Sequence, residues 1–238
     1  MKKAIIVGAS SGIGRSLALE LSKRGYQLGL GARREGLLQE IASEAGNGTF
    51  IKVMDAENQE ALRQQVSDLI REMDGVDLII YNAGIGESSG QWEKEHQMHE
   101  INAIGFAAVA NLAFQYFRRN KKEGQFVGIS SVAGTRGMRQ AIGYSATKAF
   151  MQNYLEGQRH KATAEKLPII ITDIRPGFID TDMTKGQKGM FWVQPVDKAA
   201  RQIADAIEKK QAVAYITRRW WIIAKLFGAI PDFVWNRL

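Results

Sequence analysis

The sequence predicts a doubly wound α/β fold, in which a parallel seven-stranded sheet carries helices on both faces. Seven short apolar runs, rich in β-branched residues, recur along the 238-residue chain, and amphipathic stretches with helical periodicity separate them. The runs are apolar throughout rather than alternating, which is typical of strands buried on both faces. Helical crossovers between successive strands imply parallel pairing, so this Rossmann-type architecture is favoured.

Each element follows from its local pattern. The predicted strands are 3–7, 26–32, 49–54, 76–81, 125–130, 168–174 and 212–216. The predicted helices are 13–23, 36–45, 56–73, about 91–119, about 143–165 and 195–210. In the third helix Leu62, Val66, Leu69 and Ile70 recur at helical spacing. Two prolines, Pro168 and Pro176, stand at the ends of the sixth strand, where a missing backbone donor is tolerated.

Composition narrows the protein class. Hydrophobic residues make up 45% of the chain and charged residues 24%, as in an ordinary globular domain. The absence of cysteine excludes disulfides, thiol catalysis and thiolate metal sites. The apolar run 4–7 is too short for a secretory signal, and no stretch approaches the ~18 apolar residues of a membrane span. We therefore predict a cytoplasmic protein with one domain, divided into a dinucleotide-binding catalytic part (1–217) and a tail (218–238).

A glycine-rich loop follows the first strand directly and opens the first helix. Its sequence, GASSGIG at 8–14, includes Gly8, Ser10, Ser11, Gly12, Ile13 and Gly14. Glycines allow a tight turn and close approach of a ligand, and the free N–H groups of a helix start suit a pyrophosphate. A glycine loop alone is weak evidence, because tight strand-to-helix turns need glycine anyway. Its position makes a dinucleotide site the favoured interpretation.

The end of the second strand indicates which dinucleotide is bound. Sites for NAD often place a carboxylate about 20 residues beyond the loop, where it binds the ribose 2′-hydroxyl. Here Arg33 and Arg34 stand instead, and guanidinium groups bind a 2′-phosphate well. The alternative is two solvated arginines at a helix start, where cations are electrostatically unfavourable. We therefore predict NADP(H) rather than NAD(H).

Tyr144 and Lys148 stand four residues apart in IGYSATKAF, which places them on one face of a helix. Taken alone, such a pair is more often an ordinary half-exposed helix face. The chemical interpretation is that the ammonium favours the phenolate and lowers the phenol pKa from its usual value near 10, so that Tyr144 can exchange a proton. The histidine pair His96 and His99 lacks a third ligand of suitable spacing, and we predict no metal site.

Five motifs in order resemble the short-chain dehydrogenase/reductase family in its shorter single-domain form: GASSGIG at 8–14, YNAG at 81–84, ISS at 129–131, YSATK at 144–148 and RPGFIDT at 175–181. The resemblance covers about residues 3–216. It implies that Tyr144 is the catalytic acid/base, that Lys148 assists it and holds the nicotinamide ribose, that Ser131 polarises the substrate carbonyl, and that Asn102 serves a proton relay.

The resemblance also implies further cofactor contacts and an oligomer. The remaining matched cofactor residues are Asp55, Ala56, Asn82, Ala83, Gly84, Pro176, Gly177, Ile179 and Thr181. Family members are usually homodimers or homotetramers. Val7 and Tyr81 depart from the Thr and Asn common in the family, which puts loop rigidity in doubt more than activity.

The expected function is NADPH-dependent reduction of a small-molecule carbonyl to an alcohol, or the reverse, on an apolar or ketoacyl-type compound. A ketoacyl thioester, a steroid-like ketone, a sugar and a small aldehyde all stay open as substrates, since each would meet the same catalytic groups. A non-catalytic NADP-binding regulatory or scaffold protein, and an epimerase or dehydratase on the same fold, remain as alternatives. A screen for substrates that oxidise NADPH separates the first of these from an enzyme.

The C-terminal segment is basic and aromatic. Residues 209–238 hold six cationic residues against the single carboxylate of Asp232, and three of the five tryptophans. Three interpretations stay open: packing on the domain or a sister subunit, a lid over an apolar substrate together with 187–193, and peripheral attachment to anionic lipid or an acidic carrier. No nucleic-acid-binding module is recognised, and we predict no nucleic-acid partner.

Overall fold

The computed structural model describes residues 1–46, 48–86, 89–186 and 189–237. Gln187, where the predicted lid segment begins, lies outside these residues. The strands are β1 Lys3–Val7, β2 Gln27–Ala32, β3 Phe50–Val53, β4 Leu78–Tyr81, β5 Gly124–Ile129, β6 Ile169–Pro176, β7 Ile179–Asp180, β8 Gln194–Pro195 and β9 Val213–Ile216. The α-helices are α1 Gly12–Lys23, α2 Glu35–Ala45, α3 Gln59–Glu72, α4 Trp92–His99, α5 Phe106–Asn120, α6 Ile142–Ala164, α7 Val196–Glu208, α8 Trp220–Ala229 and α9 Asp232–Trp235.

Seven strands form one parallel sheet in the order β3-β2-β1-β4-β5-β6-β9, which confirms the predicted fold. The chain order reverses between β1 and β4, on either side of which the strands run outward to opposite edges. In open sheets of this kind the ligand lies outside the carboxyl ends of the strands, at the reversal. Those ends of β1, β4, β5 and β6 therefore define where a site belongs.

The sheet is buried on both faces because successive strand residues point to opposite sides. In β1, Ile6 joins the core formed with α1, α2 and α7, whereas Ile5 joins the core formed with α3, α5 and α6. Both side chains are fully buried. Two complete apolar cores explain why the strands read as continuous apolar runs in the sequence.

The helix predicted at about 91–119 is interrupted in the structure. A π-helical segment, Glu100–Gly105, separates α4 from α5. Two contacts accompany it: the Tyr81 hydroxyl donates to the Ile101 carbonyl at 2.5 Å, and a Cβ at Gly105 would lie 2.6 Å from the Ala56 carbonyl oxygen. The interruption thus lets the chain pass close to the ends of β3 and β4, and such π-helical turns occur frequently at functional sites.

The tail folds back on the chain that precedes it. Helix α8 packs against a 3₁₀ turn at Val132–Thr135, and Arg136 donates to the carbonyl oxygens of Phe227 and Ile230 and to the Asp232 carboxylate. The Trp235 indole donates to the Gly137 carbonyl at 3.0 Å. Of the described helices, none combines the length and the apolar character needed to cross a bilayer.

Candidate active site

Ser131 and Tyr144 meet at the carboxyl end of β5. Ser131 lies two residues beyond the strand and caps the 3₁₀ turn, its hydroxyl oxygen accepting from the Ala133 N–H at 3.1 Å. Tyr144 lies in the first turn of α6, and its hydroxyl is hydrogen-bonded to the Ser131 side chain. The structure therefore brings two residues thirteen positions apart into direct contact.

Lys148 lies one helical turn beyond Tyr144 and is only 5% exposed. Its ammonium donates to the Ile129 carbonyl at 3.0 Å and lies 5.6 Å from the centroid of the Tyr144 ring. Burial lowers the pKa of Lys148 to about 8, while the negative charge of Asp173 acts in the opposite direction. The predicted pairing on one helix face is thus present, with the amine held in a buried environment.

The pKa of Tyr144 departs from the sequence-based expectation. Burial raises the pKa of this phenol above its usual value, and the hydrogen bond with Ser131 lowers it in part. The expected lowering by Lys148 is therefore not what the protein alone produces. The expectation considered only the neighbouring cation, whereas desolvation of the phenolate is the larger effect in the folded chain.

Asn102 lies in the π-helical segment and is fully buried. Its side chain accepts from the Ile85 N–H at 2.9 Å and donates to the Ile85 carbonyl at 2.8 Å and to the Thr147 hydroxyl at 3.3 Å. It thereby joins the loop after β4 to the turn of α6 that carries Lys148. A Cβ at Gly84 would lie 3.2 Å from the Asn102 oxygen and 3.6 Å from the Lys148 nitrogen, so these groups surround one point of the loop.

The glycine loop packs tightly against the end of β4. Gly8 has φ +89°, and a Cβ there would lie 2.4 Å from the Ala83 nitrogen. A Cβ at Gly14 would lie 2.1 Å from the Gly8 carbonyl oxygen, which itself accepts from the Asn82 side chain at 2.7 Å. Neither glycine has room for a side chain, and α1 therefore begins directly against the loop.

The start of α1 keeps its backbone donors free of a side-chain cap. Ser11 occupies the N-cap position but makes no capping hydrogen bond, and the first turn carries no acidic residue. Instead, the Arg34 guanidinium donates to the Ser10 hydroxyl at 2.8 Å and to the Ser11 hydroxyl at 2.7 Å. N–H groups at a helix start beside a guanidinium form an arrangement suited to an anion.

Arg33 and Asp55 lie beside this loop but make other contacts. Arg33 is mostly exposed and forms a 3.4 Å ion pair with Glu57, a group that also accepts from Gln97. The Asp55 carboxylate accepts from the Glu57 N–H at 3.1 Å, and the neighbouring Ala56 is buried. Arg34 rather than Arg33 therefore touches the glycine loop in this structure.

The segment after β6 reaches both halves of the site. The Pro176 carbonyl oxygen lies 3.5 Å from the Ser131 hydroxyl, and Gly177 contacts the Trp220 ring so closely that a Cβ would lie 2.0 Å from it. Ile179 is buried in β7, and Thr181 would contact a Cβ at Gly12 at 3.3 Å. The predicted cofactor segment thus runs from the Ser131 side of the site to the glycine loop.

A buried charged cluster under the site escaped the sequence analysis. Asp173 is fully buried in β6 and accepts from the Ser130 hydroxyl at 2.5 Å and from Arg175 at 2.6 Å. A signal was present, because a carboxylate interrupts the apolar run of this strand. A fully buried carboxylate needs a partner, and here that partner is the half-buried Arg175, two residues further along.

Comparison with known proteins settles the family. The family model for the short chain dehydrogenase matches residues 2–190. The chain belongs to the short-chain dehydrogenase family. As a short-chain dehydrogenase it is an oxidoreductase, and its cofactor is a nicotinamide dinucleotide, NAD(H) or NADP(H).

Curated relatives of this short-chain dehydrogenase include several reductases and dehydrogenases. An uncharacterized oxidoreductase of Myxococcus xanthus is 33% identical over 77% of this chain and 74% of its own length. An 11-beta-hydroxysteroid dehydrogenase-like protein of Arabidopsis thaliana is 32% identical over 98% of this chain and 79% of its own. A 3-oxoacyl-(acyl-carrier-protein) reductase of Vibrio cholerae is 30% identical over 90% and 89%.

Solved structures share the fold of this short-chain dehydrogenase over most of their length. An alcohol dehydrogenase from Thermococcus sibiricus, complexed with 5-hydroxy-NADP, superposes with a TM-score of 0.78 at 25% identity, covering 90% of this chain and 94% of that one. A bulky-bulky ketone specific alcohol dehydrogenase from Comamonas testosteroni gives 0.78 at 23% identity, covering 98% and 96%.

Proposed function

We propose that this short-chain dehydrogenase reduces the carbonyl group of a small molecule to an alcohol with NADPH, or catalyses the reverse oxidation. One observation carries the proposal, and it concerns three side chains at the carboxyl end of β5. The Tyr144 hydroxyl is hydrogen-bonded to the Ser131 side chain, and the Lys148 ammonium lies 5.6 Å from the centroid of the Tyr144 ring. A phenol, a hydroxyl and a buried amine in this arrangement can hold a carbonyl oxygen and protonate it.

The residues present fit a nicotinamide dinucleotide. The uncapped N–H groups of α1 and the close packing of Gly8 and Gly14 form a narrow cradle in which backbone, not side chain, faces a diphosphate. Thr181 comes to the edge of the same cradle through its contact with Gly12. We assign Asn82, Ala83, Gly84, Asp55, Ala56, Pro176, Gly177 and Ile179 to the surrounding cofactor contacts, as the family motifs imply.

NADP(H) is the preferred dinucleotide in this proposal. Arg34 already donates three hydrogen bonds into the loop at Ser10 and Ser11, and these hydroxyls can turn to a phosphate when it binds. To bind the 2′-phosphate, Arg33 would have to leave its 3.4 Å ion pair with Glu57. This ion pair is exposed and therefore contributes little to stability. The Thermococcus sibiricus neighbour, complexed with 5-hydroxy-NADP, supports the same choice.

Each catalytic residue has a distinct role in the proposed reaction. A bound nicotinamide dinucleotide would supply the hydride chemistry at the carbonyl carbon, and the residues of this chain would orient the substrate and move the proton. Tyr144 gives its phenolic proton to the carbonyl oxygen and becomes a phenolate, which the nearby Lys148 cation stabilises. Ser131 donates a hydrogen bond to the same oxygen, where negative charge develops. Asn102 acts as a positioning residue, since it holds the Ile85 loop against the α6 turn that carries Lys148.

We infer that the substrate is apolar around its carbonyl group. An aromatic cluster, Phe178, Phe191, Trp192 and Trp220, adjoins the segment after β6, with ring centroids 5.0–6.0 Å apart. Phe191 and Trp192 remain partly exposed there and offer apolar contact area. Ketoacyl and steroid-like compounds, which the names of two relatives mention, are both of this class.

We further propose a homo-oligomer, as is usual in the family. Trp92 on α4, Ile104 in the π-helical segment and Phe150 on α6 are large apolar side chains that are exposed in the single chain. Burying them between copies would remove apolar surface from water, which is the main driving force of such association.

An activity assay of the purified protein on a panel of apolar ketones and ketoacyl thioesters tests the proposal, with loss of NADPH absorbance as the readout. We expect turnover with NADPH and a specificity constant roughly 10- to 100-fold lower with NADH, the range expected for one or two charge-assisted hydrogen bonds. The Arg33→Asp variant should narrow this difference, and Arg119→Asp on the distant end of α5 is the matched control.

Two results would contradict the proposal. Binding of NADPH without turnover of any compound would favour a regulatory or scaffold protein. Redox-neutral conversion of a substrate, without net loss of NADPH, would favour an epimerase or a dehydratase. Equal use of NADH and NADPH, or a preference that Arg33→Asp leaves unchanged, would remove the NADP assignment while leaving the enzyme assignment in place.

A further inference from the structure

Helix α8 presents a second apolar face to solvent. One side of the helix is buried, with Trp220 and Ala224 each 3% exposed. At 3.6 residues per turn, Ile222 and Leu226 lie on the opposite side, and they are 52% and 56% exposed. Packing against the rest of the described chain therefore buries only one face of α8, and the other face is exposed to solvent.

Further exposed apolar side chains stand at the start of α8 and in α9. Trp221 is 51% exposed and Phe233 67% exposed, and Val234 is exposed beside it. We call Trp221, Ile222, Leu226, Phe233 and Val234 the apolar face. Large apolar side chains exposed together in one short segment favour an interaction site.

The apolar face is held rigidly in this exposed position. Arg136 binds the two helix ends through the Phe227 and Ile230 carbonyl oxygens and the Asp232 carboxylate, and it stacks over Trp235 at 5.2 Å. These contacts attach α8 and α9 to the domain through the side that lies away from the apolar face. The tail thus does not turn its apolar side chains inward.

Positive charge surrounds the apolar face. Lys225 is exposed on α8, Arg218 is exposed just before this helix, and Arg237 is exposed just after α9. Trp221 also lines a cleft of about 840 Å³ beside β9, together with Lys198, Lys209, Arg218 and Arg219. The one carboxylate in the lining, Asp205, already pairs with Arg24 at 2.8 Å. We call this feature the basic cleft.

We propose that the apolar face and the basic cleft dock this protein on an anionic bilayer surface. Aromatic and aliphatic side chains of a surface helix enter the boundary between headgroups and acyl chains, and flanking cations attract acidic headgroups. Lysine stems such as that of Lys225 can cross apolar surface while the ammonium stays in water. The proposal concerns the surface alone and does not depend on the proposed reaction.

Charge favours a bilayer over a second copy of the chain as the occupant. An interface with two-fold symmetry would bring the same patch of both copies together, so the positive patch with Arg218, Lys225 and Arg237 would face an equally positive patch. Like charges in contact oppose such an interface. An acidic lipid surface instead complements every cation of the patch.

The docked orientation would also place the aromatic cluster of Phe178, Phe191, Trp192 and Trp220 near lipid. Trp220 on the buried side of α8 contacts Gly177, next to the Pro176 carbonyl that lies 3.5 Å from Ser131. The partly exposed Phe191 and Trp192 contact the same Trp220 ring. On the proposed function, an apolar ketone dissolved in the bilayer would have a short path to the catalytic residues.

Co-sedimentation with vesicles tests the docking proposal directly. We expect the full-length protein to pellet with vesicles of phosphatidylcholine containing about 30% phosphatidylserine but not with pure phosphatidylcholine, and to be released by ~1 M salt, which screens the attraction. The Arg218→Ala/Lys225→Ala variant should bind about 30-fold more weakly, at about fivefold for each surface cation.

Two further variants make the test specific. Arg119→Ala/Lys122→Ala removes the same charge at the end of α5 and should bind like the wild type. Ile222→Asp/Leu226→Asp changes only exposed side chains and should abolish pelleting, with an unchanged melting temperature as the check on folding. Light scattering of every variant gives its oligomeric state in parallel.

Three outcomes would overturn the proposal. Failure of anionic vesicles to pellet the wild type is the first. An equal loss of affinity in the two charge variants is the second, since it would indicate non-specific attraction by the net charge. The third combines two results: the Ile222→Asp/Leu226→Asp variant is monomeric where the wild type is oligomeric, and the wild type does not bind vesicles. Together they would show that a second copy covers the apolar face. None of these results would bear on turnover of NADPH, which is measured in the absence of vesicles.

Discussion

Lys148 shows how burial sets the chemistry of a single residue. An ammonium that is only 5% exposed loses most of its hydration, and its pKa falls to about 8. The fully buried carboxylate of Asp173 opposes this fall. The charge on Lys148 at neutral pH therefore depends on a residue that makes no contact with the proposed substrate.

The Asp173→Asn substitution tests this dependence. With the negative charge removed, the pKa of Lys148 should fall further below its present value of about 8, so Lys148 loses its proton at a lower pH. The specificity constant for carbonyl reduction should then decline with rising pH earlier than in the wild type. A pH–rate profile of both proteins measures the shift of this alkaline limb.

The control for this substitution is Ser130→Ala, which removes the 2.5 Å hydrogen bond to Asp173 but keeps the carboxylate charge. The other charged groups near Asp173, namely Arg159 and Arg175, and the Tyr215 phenol, are unchanged in both variants. An alkaline limb that stays in place in Asp173→Asn would show that Asp173 does not support the charge of Lys148.

At this scale the sequence indicated the chemistry of individual residues better than their environment. Tyr144, Lys148 and Ser131 were found by spacing and motif, and the structure places them together. The predicted direction of the Tyr144 pKa shift was wrong, because burial raises this pKa and the burial depends on what the rest of the chain packs around the ring. Asp173 was missed for the same reason: the sequence shows a carboxylate within a strand but not that Arg175 and Ser130 enclose it.

Among the elements, the interrupted helix at 92–120 is the clearest departure from the predicted pattern. Its residues have helical periodicity throughout, so the sequence gives no signal for the π-helical segment Glu100–Gly105. The cause lies in other elements, namely the Tyr81 hydroxyl at the end of β4 and the close approach of Gly105 to Ala56. The short pair β7–β8 was also not predicted, since two residues are too few for a periodic pattern.

Helices α8 and α9 depend on one side chain from another element. Replacing Arg136 by Ala should remove its hydrogen bonds to Phe227, Ile230 and Asp232 and its stacking on Trp235. We expect a stability loss of about 1–3 kcal/mol, typical of charge-assisted hydrogen bonds, and a melting temperature lower by several degrees. Thermal unfolding and limited proteolysis of residues 218–237 measure the two effects.

The exposed Arg139, three residues further along the same segment, supplies the control. Arg139→Ala should leave both the melting temperature and the cleavage pattern as in the wild type. Equal cleavage of the tail in Arg136→Ala and the wild type would mean that Trp220 and Ala224 alone hold the helices, and that the Arg136 contacts contribute little.

In the molecule as a whole, the residues of the proposed site lie together at the carboxyl ends of the parallel strands. Ser131 follows β5, Gly8 follows β1, Asn82 follows β4 and Pro176 ends β6, and parallel pairing brings these carboxyl ends side by side. The sequence predicted this arrangement because βαβ order alone implies parallel strands. It could not predict how α8 closes against Gly177, since that contact depends on the path of the tail.

The proposed reaction depends on proton transfer by Tyr144 in carbonyl reduction. The most direct measurement compares Tyr144→Phe with Tyr154→Phe, which removes a hydroxyl from the same helix away from Ser131, in turnover of NADPH and in NADPH binding by fluorescence. We predict that Tyr144→Phe binds NADPH like the wild type but loses turnover by ~10²- to 10⁴-fold, the usual contribution of a positioned acid, whereas Tyr154→Phe keeps both. Turnover in Tyr144→Phe equal to that in Tyr154→Phe would contradict the assignment.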